Sequence, residues 1–228
     1  EIVGAEALVR WNHPERGMVS PAEFIPYVER LGLMVPLGSW VLEAACAHLA
    51  SWAQHPDMQH LTVAVNVSAQ QFMSPDIVDR VVAALEKTGA NPQRLKLELT
   101  ESVLADNDKD VGQVMLRLKT LGISFSLDDF GTGFSSLAYL SRLPLDQLKI
   151  DKSFVADIET GNSNVAICAA IISLARSLRL DVIAEGVETD AQRYFLGTVH
   201  KCNLYQGYLF SRPVPRADFE QMFANPLP

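Results

Sequence analysis

The sequence predicts an α/β fold and, within that class, a (β/α)-barrel. Three observations carry this reading. Short β-patterned segments alternate with helical ones along the 228 residues. The strands recur at intervals that suit repeated β/α units with parallel strands. Each strand has one apolar face and one polar or small face. An open doubly wound sheet is the alternative, but it is covered on both faces and should be apolar on both. A barrel packs its outer strand face on helices and keeps a functional mouth inside.

The first strand is "VGAEALVRW" (3–11), where Glu6 and Arg10, an even number of residues apart, should share a side. The gap to "LTVAVNVS" (61–68) leaves room for more than one helix. There Val63, Val65 and Val67 oppose Thr62, Ala64 and Asn66. Ser74-Pro75-Asp76 offers a cap, a first-turn proline and a first-turn acid for a helix that Gly89 closes. In "LKLELTES" (95–102), Leu95, Leu97 and Leu99 oppose Lys96, Glu98 and Thr100. "DVGQVMLRLKTLG" is helical and stops at Gly122. In "ISFSLDDFG" (123–131), Ile123, Phe125 and Leu127 oppose Ser124, Ser126 and Asp128. "LDQLKIDKSF" (145–154) is the next strand. "NVAICAAIISLARSLRL" is apolar nearly all round and therefore a buried helix. "LDVIAEGVET" (180–189) leads to a helix starting at Thr189-Asp190. "LYQGYLF" (204–210) is the seventh strand, and the helix "RADFEQMF" follows. Long linkers, low-complexity tracts and composition shifts are absent, so one domain over 1–228 is expected.

Composition narrows the function. Hydrophobic residues make up 48%, charged residues 20%, and mean hydropathy is +0.10, the values of an ordinary globular domain. No apolar stretch approaches the ~18 residues of a membrane-spanning helix. The opening "EIVGAEALVRW" reads as a strand and not a signal peptide, so a cytoplasmic domain is expected. The net charge of −8 argues against a basic face for DNA or RNA polymers. Cys46, Cys168 and Cys202 are odd in number and far apart, and read as core thiols in a reducing compartment. The histidines are scattered, so a metal here would use oxygen ligands.

The polar strand faces end in Glu6, Asn66, Glu98, Asp128, Lys149, Glu185 and Gln206. In a barrel, the carboxyl ends of the strands form the active site. With Asp129, the carboxylates at that mouth are Glu6, Glu98, Asp128, Asp129 and Glu185. They need compensating positive charge. Two divalent cations supply it, and all-oxygen ligands suit magnesium, manganese or calcium. Asp128 can bridge the pair and Asp129 reach the second ion. Taken singly, "DD" is usually a turn, Lys149 a salt-bridge partner and Asn66 a turn residue. Their recurrence at successive strand ends, in opposite phase to the apolar neighbours, sets them apart.

The stretches "EALVRW", "SPAEFIPYVERLGL", "NVS", "ELTES", "DDFGTGFSSLAYL", "LKIDKSFV", "AEGVET" and "QGYLFSRP" cover essentially the whole chain in order. They resemble the EAL domain family of cyclic di-GMP phosphodiesterases. The resemblance implies a modified (β/α)8 TIM-type barrel with one antiparallel strand; this chain starts after the family's usual first strand. It implies hydrolysis of cyclic di-GMP to linear pGpG, assisted by two Mg2+ or Mn2+ ions. Glu6, Asn66, Glu98 and Asp128 resemble the ligands of one ion, and Asp128, Asp129 and Glu185 those of the other. Lys149 resembles the lysine that contacts the attacking water, Arg10 the arginine on substrate phosphate, and Gln206 a glutamine at the site. Glu101 resembles the residue that anchors the loop "DDFGTGFSSL", through its backbone or hydroxyls such as Thr132, Ser135 or Ser136. Glu188 matches a supporting acidic position. The family also implies a homodimer, and sensor or GGDEF domains in a longer parent that can be membrane-anchored. Calcium, with longer bonds and more ligands than magnesium, is expected to inhibit. A cyclic di-GMP receptor without turnover and an unrelated metal-dependent barrel enzyme are the alternatives.

Overall fold

The computed structural model describes residues 1–105, 108–131, 140–156, 158 and 163–224. It divides into two compact units, one of Glu1–Glu98 with Gln113–Ser124, the other of Leu99–Gly112 with Phe125–Pro228.

In the first unit, strands β1 (Gly4–Ala7), β4 (Thr62–Asn66) and β5 (from Leu95) lie side by side and parallel. The expected alternation is seen in burial: Val63, Val65, Leu95 and Leu97 are all buried. Helices α1 (Pro21–Arg30), α2 (Met34–Trp52) and α4 (Ile77–Thr88) belong to this unit, with the single turn α3 (Ala69–Phe72) after β4. Helix α2 buries Leu42, Ala45, Cys46, Leu49 and Trp52. Gly89 ends α4 in the left-handed conformation (φ 71°), as expected from the sequence. The helix Asp108–Thr120 begins in the second unit and ends in the first.

In the second unit, β6 (Ser124–Phe130, in this unit from Phe125), β7 (Gln147–Ile150), β8 (Asp181–Ala184) and β9 (Leu204–Tyr205) follow one another in parallel. Phe125, Leu127, Leu148 and Ile150 are buried. The long apolar helix Ser163–Leu178 buries Cys168, Ile171, Ile172 and Ala175. Within each unit the parallel strands keep their chain order. A doubly wound sheet reverses that order at a switch point; a barrel does not.

Several boundaries differ from the sequence reading. The strand expected over 3–11 breaks after Ala7. Trp11–His13 (β2) instead pairs antiparallel with Gly17–Val19 (β3). His13 Nδ1 accepts the amides of Glu15 and Arg16 at 3.1 and 3.2 Å and so fixes the intervening turn. Arg10 therefore lies between two strands, and its relation to Glu6 is not that of one strand face. Helix α4 starts at Ile77, with Pro75 ahead of it and not in its first turn. β5 ends at Thr100, and Glu101 opens a short helix (Glu101–Ala105). β7 ends at Ile150, β8 at Ala184 and β9 at Tyr205, each shorter than its β-like pattern.

No helix among the described residues is long and apolar enough to cross a membrane. Cys46, Cys168 and Cys202 are free and buried. Burial is the main cause that pushes each thiol up to about 11. Ellman's reagent at pH 8 should leave all three untouched in the folded protein and titrate all three in denaturant; a fast-reacting thiol in the native state would contradict the packing.

Candidate active site

In the first unit, three polar residues leave the carboxyl-terminal halves of neighbouring strands. Glu6 is in register with Ala64 on β4, and Asn66 at the end of β4 is in register with Glu98 on β5. Asn66 Nδ2 donates to Glu6 Oε1 at 2.6 Å, so the amide keeps Oδ1 as an acceptor. Glu98 is only 4% exposed. Its strand alternates: Leu97 and Leu99 enter the core, which turns Glu98 to the opposite face.

In the second unit, Lys149 of β7 is 1% exposed. Its Nζ lies 2.7 Å from Glu185 Oε1 and 3.2 Å from Asp128 Oδ2. Burying an ammonium without anions is prohibitively unfavourable, so these carboxylates, from beyond β8 and from β6, are what permit a lysine here. Two residues before Lys149 and Asp128, on the same strand faces, Ser126 Oγ donates to Gln147 Oε1 at 3.3 Å, both side chains buried. The sequence pattern placed Ser126 on the polar face of its strand but did not single out its pairing with Gln147, because a serine and a glutamine within apolar strands look like ordinary alternation.

The two adjacent aspartates do not simply alternate. The β6–β7 register shifts between Leu127 and Phe130, and Asp129 adopts φ 54°. Asp128 Oδ1 accepts the Asp129 amide at 2.9 Å. Asp128 is part-buried while Asp129 is exposed. Partial desolvation, then the carboxylates of Asp128 and Asp151, push the Asp129 carboxyl above its usual range, against the pull of Lys149. Asp151 was not anticipated. Its place before the helix Lys152–Ala156, with Oδ1 accepting the Ser153 amide at 3.0 Å, gives it the signature of a plain cap.

Glu101 Oε1 accepts the Gly131 amide at 2.8 Å, at the turn just beyond the aspartate pair. Its Oε2 is buried, with no hydrogen-bond partner among the described residues. Thr132, Gly133, Ser135 and Ser136 of the same loop lie outside the described residues. Arg10 is exposed, and its Nη1 donates to the Val9 carbonyl at 2.9 Å. Gln206 follows β9, its amide bonded to Ala184 O at 2.8 Å. Glu188 is exposed, its amide donating to Gln192 Oε1 at 2.7 Å.

Among the described residues no three His, Cys, Asp or Glu side chains converge to coordinating distance. The donor chemistry still suits a hard cation. The groups in question are carboxylates and one amide oxygen, and Asp129 is held among like charges that oppose its ionisation.

Residues 1–213 match the family described as EAL domain. The chain belongs to the EAL domain family. This EAL domain is 44% identical over 227 residues to the bifunctional diguanylate cyclase/cyclic di-GMP phosphodiesterase MucR of Pseudomonas aeruginosa, a match over 98% of the chain and 32% of that protein. It is 48% identical over 223 residues to the cyclic di-GMP phosphodiesterase NbdA of the same organism, over 97% of the chain and 28% of that protein. The EAL domain thus spans about a third of the length of these curated relatives. Among solved structures, the "PaMucR Phosphodiesterase, c-di-GMP complex" superposes with a TM-score of 0.92 at 42% identity, covering 96% of this chain and 88% of that one. The cyclic-di-GMP-bound form of the EAL enzyme Bd1971 superposes with a TM-score of 0.89 at 33% identity, over 97% and 61%. The TIM-type barrel class expected from the sequence is the class of this fold.

Proposed function

We propose that this EAL domain hydrolyses cyclic di-GMP to linear pGpG. The observation that carries the reading is the buried Lys149 ammonium held between Asp128 and Glu185, in a domain whose relatives are named for this activity. Hydrolysis adds the oxygen of water to one phosphorus, breaks its P–O3′ bond and leaves a proton on O3′. Two divalent cations, magnesium or manganese, supply charge neutralisation and acidify water in such a site. Glu6, Asn66 and Glu98 are proposed to hold one ion, and Asp128, Asp129 and Glu185 the other. The Lys149 ammonium, held between two carboxylates, offers a fixed N–H donor that orients a water and opposes negative charge that develops near it. Arg10 and Gln206 are proposed as substrate contacts, and Glu101 as the anchor of the turn at Gly131. A second copy of the domain and neighbouring sensor or GGDEF domains are the partners this reading includes.

Incubation with cyclic di-GMP and Mg2+ or Mn2+, followed by chromatography, should yield pGpG. Calcium alone should yield almost none, because its longer, more numerous bonds misplace the reacting groups. Tight binding without product would instead make the domain a receptor. Neither binding nor product would return it to an unrelated chemistry.

A further inference from the structure

Glu185 and Gln206 sit on two chain segments that leave the sheet together. The Gln206 amide donates to Ala184 O at 2.8 Å, the Val187 amide to Gln206 O at 3.1 Å, and the Leu209 amide to Val187 O at 3.0 Å. The Glu185 amide donates to Ile150 O at 3.1 Å on the other side. Glu185 is thereby tied to β7, which carries Lys149, while its flanking residues are tied to the segment of Gln206.

Between these bonds lies Gly207. A Cβ placed there would fall 2.1 Å from the Val187 carbonyl oxygen, 2.3 Å from its amide nitrogen and 2.7 Å from its carbonyl carbon. All three are backbone atoms, so no rotamer change relieves the overlap. Gly207 does not have a positive φ, so the need is for space and not for an unusual conformation. Any side chain must push the 206–209 segment off the 185–187 segment. Those segments carry Glu185, which faces Lys149, and Gln206.

We infer that Gly207 is a positioning residue. Its bare backbone lets the chain after β9 lie directly on the Val187 peptide, and this contact sets where the Glu185 carboxylate meets Lys149 and where the Gln206 amide projects. The inference deepens the phosphodiesterase reading and rests on it for its catalytic consequence. The geometric part stands independently.

The test compares Gly207→Ala with Gly89→Ala. Gly89 ends α4 with φ 71° and has open space around its Cβ direction, so Gly89→Ala is strained without touching either segment. Both variants should lose some thermal stability. Gly207→Ala alone should lower kcat for cyclic di-GMP by about 100-fold, the usual consequence of displacing reacting groups by about an ångström. It alone should also abolish the slowed hydrogen exchange of the Val187 and Leu209 amides. Gly207→Ala with wild-type kcat and wild-type protection at those amides would overturn the inference. So would equal kcat losses in both variants, which would make the effect one of general stability. If Gly207→Ala does not fold, native-state exchange on the wild-type protein decides. The Gln206, Val187 and Leu209 amides should be protected together, and independent, fast exchange would overturn the clamp. A wild-type protein that leaves cyclic di-GMP intact refutes the phosphodiesterase reading, while the exchange measurement still tests the contact.

Discussion

Lys149→Met should abolish hydrolysis and destabilise the fold. The substitution keeps a long unbranched side chain but removes the ammonium that faces Asp128 and Glu185 at 3.2 and 2.7 Å. The lysine is almost fully buried, and the carboxylate side chains are only 13% and 18% exposed. Removing one member of a buried pair leaves uncompensated charge and typically costs about 3–5 kcal/mol. Urea titrations of both proteins at pH 7 measure this. The loss of turnover should reach at least the ~10²–10³-fold seen when one fixed transition-state donor is removed elsewhere. A variant with wild-type stability at pH 7 would mean that solvent or other groups compensate the carboxylates, and that the lysine is not what holds them.

Glu101→Ala should fold normally and lose most activity, with a raised requirement for magnesium. Glu101 reaches across 30 residues to hold the Gly131 amide at 2.8 Å. Gly131 comes two residues after Asp129, where the strand has already departed from regular register. Removing the anchor frees the turn that follows the aspartate pair. Losses of about 10–100-fold in metal affinity or activity are typical when an outer hydrogen-bond partner of a ligand is removed. A magnesium titration of hydrolysis should show the midpoint rise before the plateau falls. Stability should change little, because Glu101 Oε2 is buried without a hydrogen-bond partner among the described residues and its removal offsets the lost bond. Wild-type activity at low magnesium would mean that another contact holds the turn.

Strand existence and facing were legible in the sequence because burial enforces period two. Leu95, Leu97 and Leu99 are fully buried, and so are Phe125 and Leu127. A one-residue slip would send them all to the wrong face. The same alternation brought Glu98, Asp128 and Lys149 into view as residues on the opposite face. What was not legible depends on through-space pairing. The segment "VGAEALVRWNH" has β-like residues throughout, yet Pro14 and Gly17 turn its second half into a separate hairpin, and Arg10 falls between. Thr100-Glu101-Ser102 carries residues that strand and helix start both accept, so the change of structure at Glu101 left no local mark. Asp151 resembles any helix cap until its neighbour Asp129 is seen. Gly207 looks like a turn glycine, and only the position of the Val187 peptide reveals what it makes room for.

The kink at Asp129 makes this position a double filter on substitution. Left-handed backbone at a residue other than glycine disfavours most side chains by roughly 1–2 kcal/mol, with asparagine, aspartate and glycine the tolerant exceptions. Asp129 at φ 54° therefore admits only a narrow set on conformational grounds, before charge is considered at all. Asparagine passes the conformational filter and fails the electrostatic one; glutamate does the reverse. A saturation library at this codon, sorted once for folding and once for turnover, should separate the shape of the residue from its charge.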